Sequence, residues 1–119
     1  MLAAMHASLD DLTIRLRRFA EEREWAPFHA PKNLACALSV EAAELLEHFQ
    51  WMTEEQSRTL APDQLGAVRH EAADVLLYLL QFADKLGIDL IAAAHEKIDL
   101  NAIKYPPETA RGNSRRPGA

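Results

Sequence analysis

The chain has 119 residues, 49% of them hydrophobic and 26% charged, with a formal net charge of −5. That length fits one domain with a packed core, and the four Gly, six Pro and single Cys exclude disorder, collagen and a disulfide scaffold. Net acidity speaks against a surface for nucleic-acid polymers, and the longest apolar run, Val75–Leu80, is far too short to span a membrane. The lone Cys36 forms no internal bridge, so a reducing, cytoplasmic setting is expected. Met1–His6 lacks a charged n-region and a long apolar core, and no signal peptide is expected there.

Charge is unevenly placed. Residues 111–119 carry three Arg and no acid, so the body is −8 and the tail +3. The expected organisation is one all-α domain over residues 1–110, followed by a flexible basic tail at 111–119.

Glycine and proline fall almost entirely at breaks, and no sustained alternation suggests strands. The punctuation predicts four long helices. The first runs from about Ser8 to Arg23, with Ser8 and Asp11 as a cap pair and Leu9, Leu12, Ile14, Leu16 and Phe19 on its apolar side. The second opens on Pro31, where a missing N–H is harmless, and continues to about Trp51. Thr53–Gln56 has a capping-box pattern for a short helical turn. The third runs from Pro62 to Leu86, with Gly87 as a left-handed cap, and the fourth starts on Asp89 and ends before Tyr105. The third helix is apolar around most of its circumference, from Val68 through Val75, Leu76, Leu77, Leu79 and Leu80 to Phe82. An amphipathic helix in a small bundle needs only one stripe of roughly 100°. Cover on the other sides is expected from a second copy of the chain.

Two acid-x-x-acid pairs stand out: Glu41 with Glu44 on the second helix, and Glu71 with Asp74 on the third. Residues i and i+3 share one side of a helix, where like charges repel. Glu71 falls by wheel position between Val75, Tyr78 and Phe82, and Glu41 flanks the Leu34, Leu38, Leu45, Phe49 stripe. Carboxylates beside apolar arcs must neutralise or find cations. Spacing alone leaves two readings open: solvated helix faces, or four oxygen donors for Mg²⁺ or Mn²⁺. A di-iron bundle is excluded because none of the five His has an acid three residues before it, and no His-Glu-x-x-His zinc motif or Gly-rich phosphate loop occurs. Cys36 has no flanking His and reads as a core residue.

These acids sit in a wider pattern. The stretch Glu22–Leu34 contains Trp25, Phe28, His29, Pro31 and Asn33. Glu41–Trp51 contains Glu44, Glu47, Phe49 and Gln50. Glu71–Leu79 contains Asp74 and Tyr78, and Lys97–Pro106 contains Asp99, Asn101 and Tyr105. In order, the four blocks resemble the all-α nucleoside triphosphate pyrophosphohydrolases of the MazG-like superfamily, most nearly the dCTP pyrophosphatase branch. They cover about residues 9–106.

The resemblance implies a four-helix-bundle protomer in a homo-oligomer, commonly a tetramer built as a dimer of dimers. It also implies Mg²⁺-dependent cleavage of a deoxynucleoside triphosphate to the monophosphate and pyrophosphate. By position, Glu41, Glu44, Glu71 and Asp74 match metal ligands, and Lys97 and Asn101 match residues that hold the triphosphate. Trp25, His29, Trp51 and Tyr78 match the base and sugar pocket, and Tyr105 is placed with the substrate-binding set. One carboxylate, Glu44 being a candidate, could orient or deprotonate the attacking water in place of binding metal. The resemblance leaves open a preference for dCTP, modified dCTP, dUTP or a broader set, and an inert helical oligomerisation or nucleotide-sensing module is the alternative of a different class. The long terminal extensions of animal members have no counterpart in these residues, and the chemistry is not expected to need them.

Overall fold

The computed structural model describes residues 8–114, and the regular structure among them is all helical, with no strand. Helix α1 spans Leu9–Glu22, α2 Pro31–Glu47, α3 Glu54–Ser57, α4 Pro62–Leu86, α5 Leu90–Lys104 and α6 Pro107–Ala110, with a 3-10 turn at Ala26–Phe28. The chain divides into two compact units, one up to Gly87 and one from Ile88 onward.

In the first unit α4 is the central element. Helix α2 packs along it extensively and α1 packs against it as well. Leu34 of α2 and Leu80 and Ala83 of α4 are the buried apolar residues, and Ala83 has the small side chain that a close helix crossing requires. Of the apolar residues read around α4, Leu80 is buried, Val68, Val75, Leu77, Leu79 and Phe82 are half-buried and Leu76 is 37% exposed; Leu65, near the start of the helix, is exposed as well.

The helix ends follow the cap chemistry. Ser8 Oγ accepts from the Asp11 N–H at 3.1 Å. Thr53 and Gln56 exchange side-chain and backbone hydrogen bonds in a capping box, and Asp89 accepts from Ala92 N–H. Gly87 closes α4 at φ +67°, a left-handed value that costs a glycine little. The second predicted helix is shorter than its periodicity suggests. It ends at Glu47, after which the N–H groups of His48, Phe49 and Met52 each reach back only three residues, and the helix unwinds into tight turns. Helix α6 lies beyond the expected stop at Tyr105. Pro106 and Pro107 end α5 and then start a new turn, because proline is well suited to a first helical position.

Cys36 is exposed, contrary to the expectation of a core thiol. Two residues from Leu34 is a rotation of about 200°, which puts Cys36 on the side of α2 away from the buried leucine. In the basic tail, Arg111 N–H bonds to Pro107 O and Gly112 takes φ +71°. Residues 115–119 of that tail, and the N-terminal segment read for a leader, lie outside the described residues.

Helix α1 is tied to α4 by a two-pronged ion pair. Arg17 Nε donates to Asp84 Oδ2 at 2.8 Å, and its Nη2 donates to Asp84 Oδ1. The guanidinium holds the Asp84 carboxyl below its ordinary value of 3.8, and partial burial opposes this only in part. A depressed folded pKa means that this contribution to stability is present above pH 3.8 and is lost as pH falls through the lower value. Asp84→Asn should therefore melt below the parent chain at neutral pH, with the gap closing in strong acid, in thermal melts followed by circular dichroism. Gly66, in the second turn of α4, has open space where a Cβ would stand. Gly66→Ala should raise stability by about 0.5–1 kcal/mol in urea titration.

Candidate active site

The α2–α4 seam brings carboxylates together. Glu41 and Glu44 lie one turn apart on α2, Glu71 faces them from α4, and one carboxylate oxygen of each lies within 4.8 Å of the others. No ion pair among the described residues includes any of the three. Glu41 is held above its ordinary value, chiefly because the Glu71 carboxyl against it favours a protonated partner, then through its own burial and the Asp74 charge. Glu44 is raised mainly by Glu41. Glu71 Oε1 is buried with no hydrogen-bond partner. A buried carboxylate oxygen without a donor is costly, and a cation bound by three converging hard oxygens would remove that cost. The donor set thus fits a divalent ion such as Mg²⁺ or Mn²⁺.

Asp74, one turn beyond Glu71, lies outside that close group. It lines a cavity of about 610 Å³ between α1 and α4. Leu12, Leu16 and Phe19 form its apolar wall on α1, with Arg15, Arg18 and Glu22 around them. Leu77, Tyr78 and Gln81 continue the α4 wall, and Trp25 and His29 come from the connection between α1 and α2. That connection is shaped locally. Glu24 takes φ +53° and turns the chain, Trp25 N–H returns to Ala20 O at 3.0 Å, and Asn33 Nδ2 donates to Phe28 O. The Trp25 ring stands edge-on to Phe19 at 5.6 Å and to His29 at 6.0 Å. The Arg23 guanidinium covers the other partner, 3.6 Å from the Phe19 ring centre.

Of the residues singled out by sequence, Glu41, Glu44 and Glu71 meet at the seam, and Asp74, Trp25, His29 and Tyr78 meet at the cavity. Trp51 does neither, standing 89% exposed on the turn after α2. Lys97, Asn101 and Tyr105 belong to the second unit, spaced four residues apart along one side of α5 and its cap, with Tyr105 N–H bonded to Asn101 O at 2.7 Å. Sequence reasoning missed Arg15, Arg18 and Gln81. The available signal was spacing: Gln81 is seven residues after Asp74 and three after Tyr78, on one stripe of α4.

The model of the MazG-like family matches residues 36–118. The chain belongs to the MazG-like family. Human dCTP pyrophosphatase 1 (Homo sapiens) is 39% identical over 111 residues, covering 92% of this chain and 65% of that protein. The Mus musculus protein of the same name is 38% identical over 109 residues, covering 90% and 64%. The MazG-like chain thus spans a little under two thirds of the length of these relatives. A crystal structure of a pyrophosphatase from Archaeoglobus fulgidus DSM 4304 superposes with a TM-score of 0.77 at 42% identity, covering 82% of this chain and 91% of that one.

A carboxyl raised in the folded state stabilises the fold below its unfolded pKa, and that contribution is lost as pH rises through the folded value. The metal-free MazG-like chain should therefore lose stability as pH rises from 4.5 through the raised values of Glu41 and Glu44. Thermal melts at neutral pH should shift upward on adding Mg²⁺ or Mn²⁺, by mass action. Glu71→Gln should abolish the response, and an unchanged shift in that variant would refute the cation site.

Proposed function

We propose that this MazG-like protein hydrolyses a nucleoside triphosphate between its α- and β-phosphates, releasing the monophosphate and pyrophosphate, with dCTP as the preferred substrate and Mg²⁺, or Mn²⁺, as the resident cation. The observation that carries this reading is the adjacency of two features. An acid cluster with an orphaned Glu71 oxygen lies at one end of a stripe on α4, and an aromatic cavity begins at the next acid, Asp74. The names of the human, murine and archaeal relatives support pyrophosphate chemistry, and those of the mammalian proteins support dCTP.

Glu41, Glu44, Glu71 and Asp74 would hold the metal, which when bound supplies charge neutralisation for the phosphoryl oxygens. The raised pKa of Glu44 suits a carboxylate that takes a proton from an oriented water. Trp25, His29 and Tyr78 would enclose base and sugar, with flat rings suited to stacking. Lys97 and Asn101, on α5, would bind the triphosphate, and Tyr105, at the cap of that helix, would belong to the substrate-binding set.

The assembly proposed is a homotetramer, a dimer of dimers. Val40, Leu46 and Trp51 are 55%, 63% and 89% exposed on α2 and the turn after it, an apolar surface more typical of an interface than of a solvated helix. Trp51 would join the base pocket only in that assembly. No described helix is long and apolar enough to cross a membrane. The proposed setting is cytoplasmic, and no role is assigned to the basic tail.

The test is the purified protein with Mg²⁺ and a panel of deoxynucleoside triphosphates, with products resolved by chromatography. The expected products are monophosphate and pyrophosphate, fastest from dCTP. Release of orthophosphate, or no product at all, would overturn the reading. Glu41→Gln and Asp74→Asn should each lower turnover by more than roughly 100-fold while leaving the oligomer intact.

A further inference from the structure

We propose that Gln81 is the residue that selects the base, by presenting a hydrogen-bond acceptor to the exocyclic amino group of cytosine. The inference rests on the nucleotide reading above and adds a specificity element to it. Asp74, Leu77, Tyr78 and Gln81 follow one stripe of α4 along the cavity wall. From Asp74 to Gln81 is seven residues, a rise of about 10 Å, comparable to the length of a nucleoside. A phosphate held at the acid end therefore leaves the base near Gln81.

The uncharged side chains of that wall with hydrogen-bonding atoms are Trp25, His29, Tyr78 and Gln81. The Trp25 indole N–H only donates and cannot accept from an amino group. A phenol rotates its proton to suit a partner, and a neutral imidazole has two tautomers, so neither imposes a donor or acceptor sense. The Gln81 carboxamide is different. One end lies 3.2 Å from the Leu77 carbonyl oxygen of the same helix and must be the NH₂ group, because an oxygen there would face another acceptor. That bond fixes Oε1 as the other end of the amide, and Oε1 makes no recorded bond among the described residues. Gln81 is half-buried, where a polar atom gains from a partner. A 4-amino group can donate to Oε1. The 4-oxo group of uracil or thymine would bring a second acceptor against it, and turning the amide over would break the bond to Leu77.

The experiment measures binding of dCMP and dUMP by calorimetry in the presence of Mg²⁺, on the parent chain, Gln81→Met and Gln81→Leu, with melting curves to establish folding. The parent chain should bind dCMP about tenfold more tightly, the scale of one well-made hydrogen bond. In both variants the ratio should fall below about twofold, chiefly through weaker dCMP binding. A purely structural role would weaken both nucleotides together and leave the ratio standing. Retention of the parent ratio in a folded variant, or equal binding of dCMP and dUMP by the parent, overturns the assignment. The two proposals fail separately: absence of hydrolysis with the ratio still dependent on Gln81 removes the enzyme reading and leaves this one.

Discussion

Mutual repulsion among three carboxylates governs the first unit. Glu41, Glu44 and Glu71 bring oxygens within 4.8 Å of one another in a helix seam, with Glu41 and Glu71 half-buried. Proteins relieve such crowding by holding a proton or by binding a cation. The raised values of Glu41 and Glu44 are the first response. The unpartnered Glu71 oxygen shows that the first response is incomplete. The extensive α2–α4 packing around Leu34, Leu80 and Ala83 is what holds the acids together against this repulsion.

From that seam the rest of the unit follows as support. Helix α4 runs for 25 residues, long enough to carry Glu71 in the seam, Asp74 at the junction and Gln81 two turns further along. Helix α1 forms the opposite wall of the cavity and packs against α4, where a polar contact can add a defined register. The Arg17–Asp84 pair supplies one, since two parallel donors to one carboxylate constrain rotation as well as distance. Trp25 and His29 are set by backbone geometry, the left-handed Glu24 and the Asn33–Phe28 bond, and their position relative to α1 does not depend on the cavity being filled.

Features that depend on local periodicity were legible in the sequence. The caps at Ser8, Thr53 and Asp89, the stop at Gly87 and the acid pairs all follow from spacing within one helix, and each sits where that spacing puts it. Features that depend on how two helices face each other were not. Glu71 and Asp74 look equivalent in sequence, yet only Glu71 reaches the α2 acids, because a rotation of about 60° is enough to turn Asp74 toward α1. The cavity is a gap between α1 and α4, so Arg15 and Arg18 carry no mark of it in their own neighbourhoods, and Gln81 is marked only by its spacing from Asp74 and Tyr78. Cys36 failed as a core residue for the same reason: an apolar helix has no sequence label for which side meets a partner.

The position of Asp74 joins the two halves of the site. Its charge acts on Glu41 in the seam while its side chain lines the cavity. Any cation that lowers the repulsion among the seam acids also lowers the negative potential at the mouth of the cavity. In a body carrying −8, that change favours the approach of a polyanion. Arg15 and Arg18 line the same cavity and add positive charge on the α1 side. Without a cation these two arginines stand against Glu22, Asp74 and the seam acids; with one, the balance at the mouth shifts toward attraction. In the proposed reading, an acidic protein would admit a nucleotide where the helix stripe begins at the acid cluster.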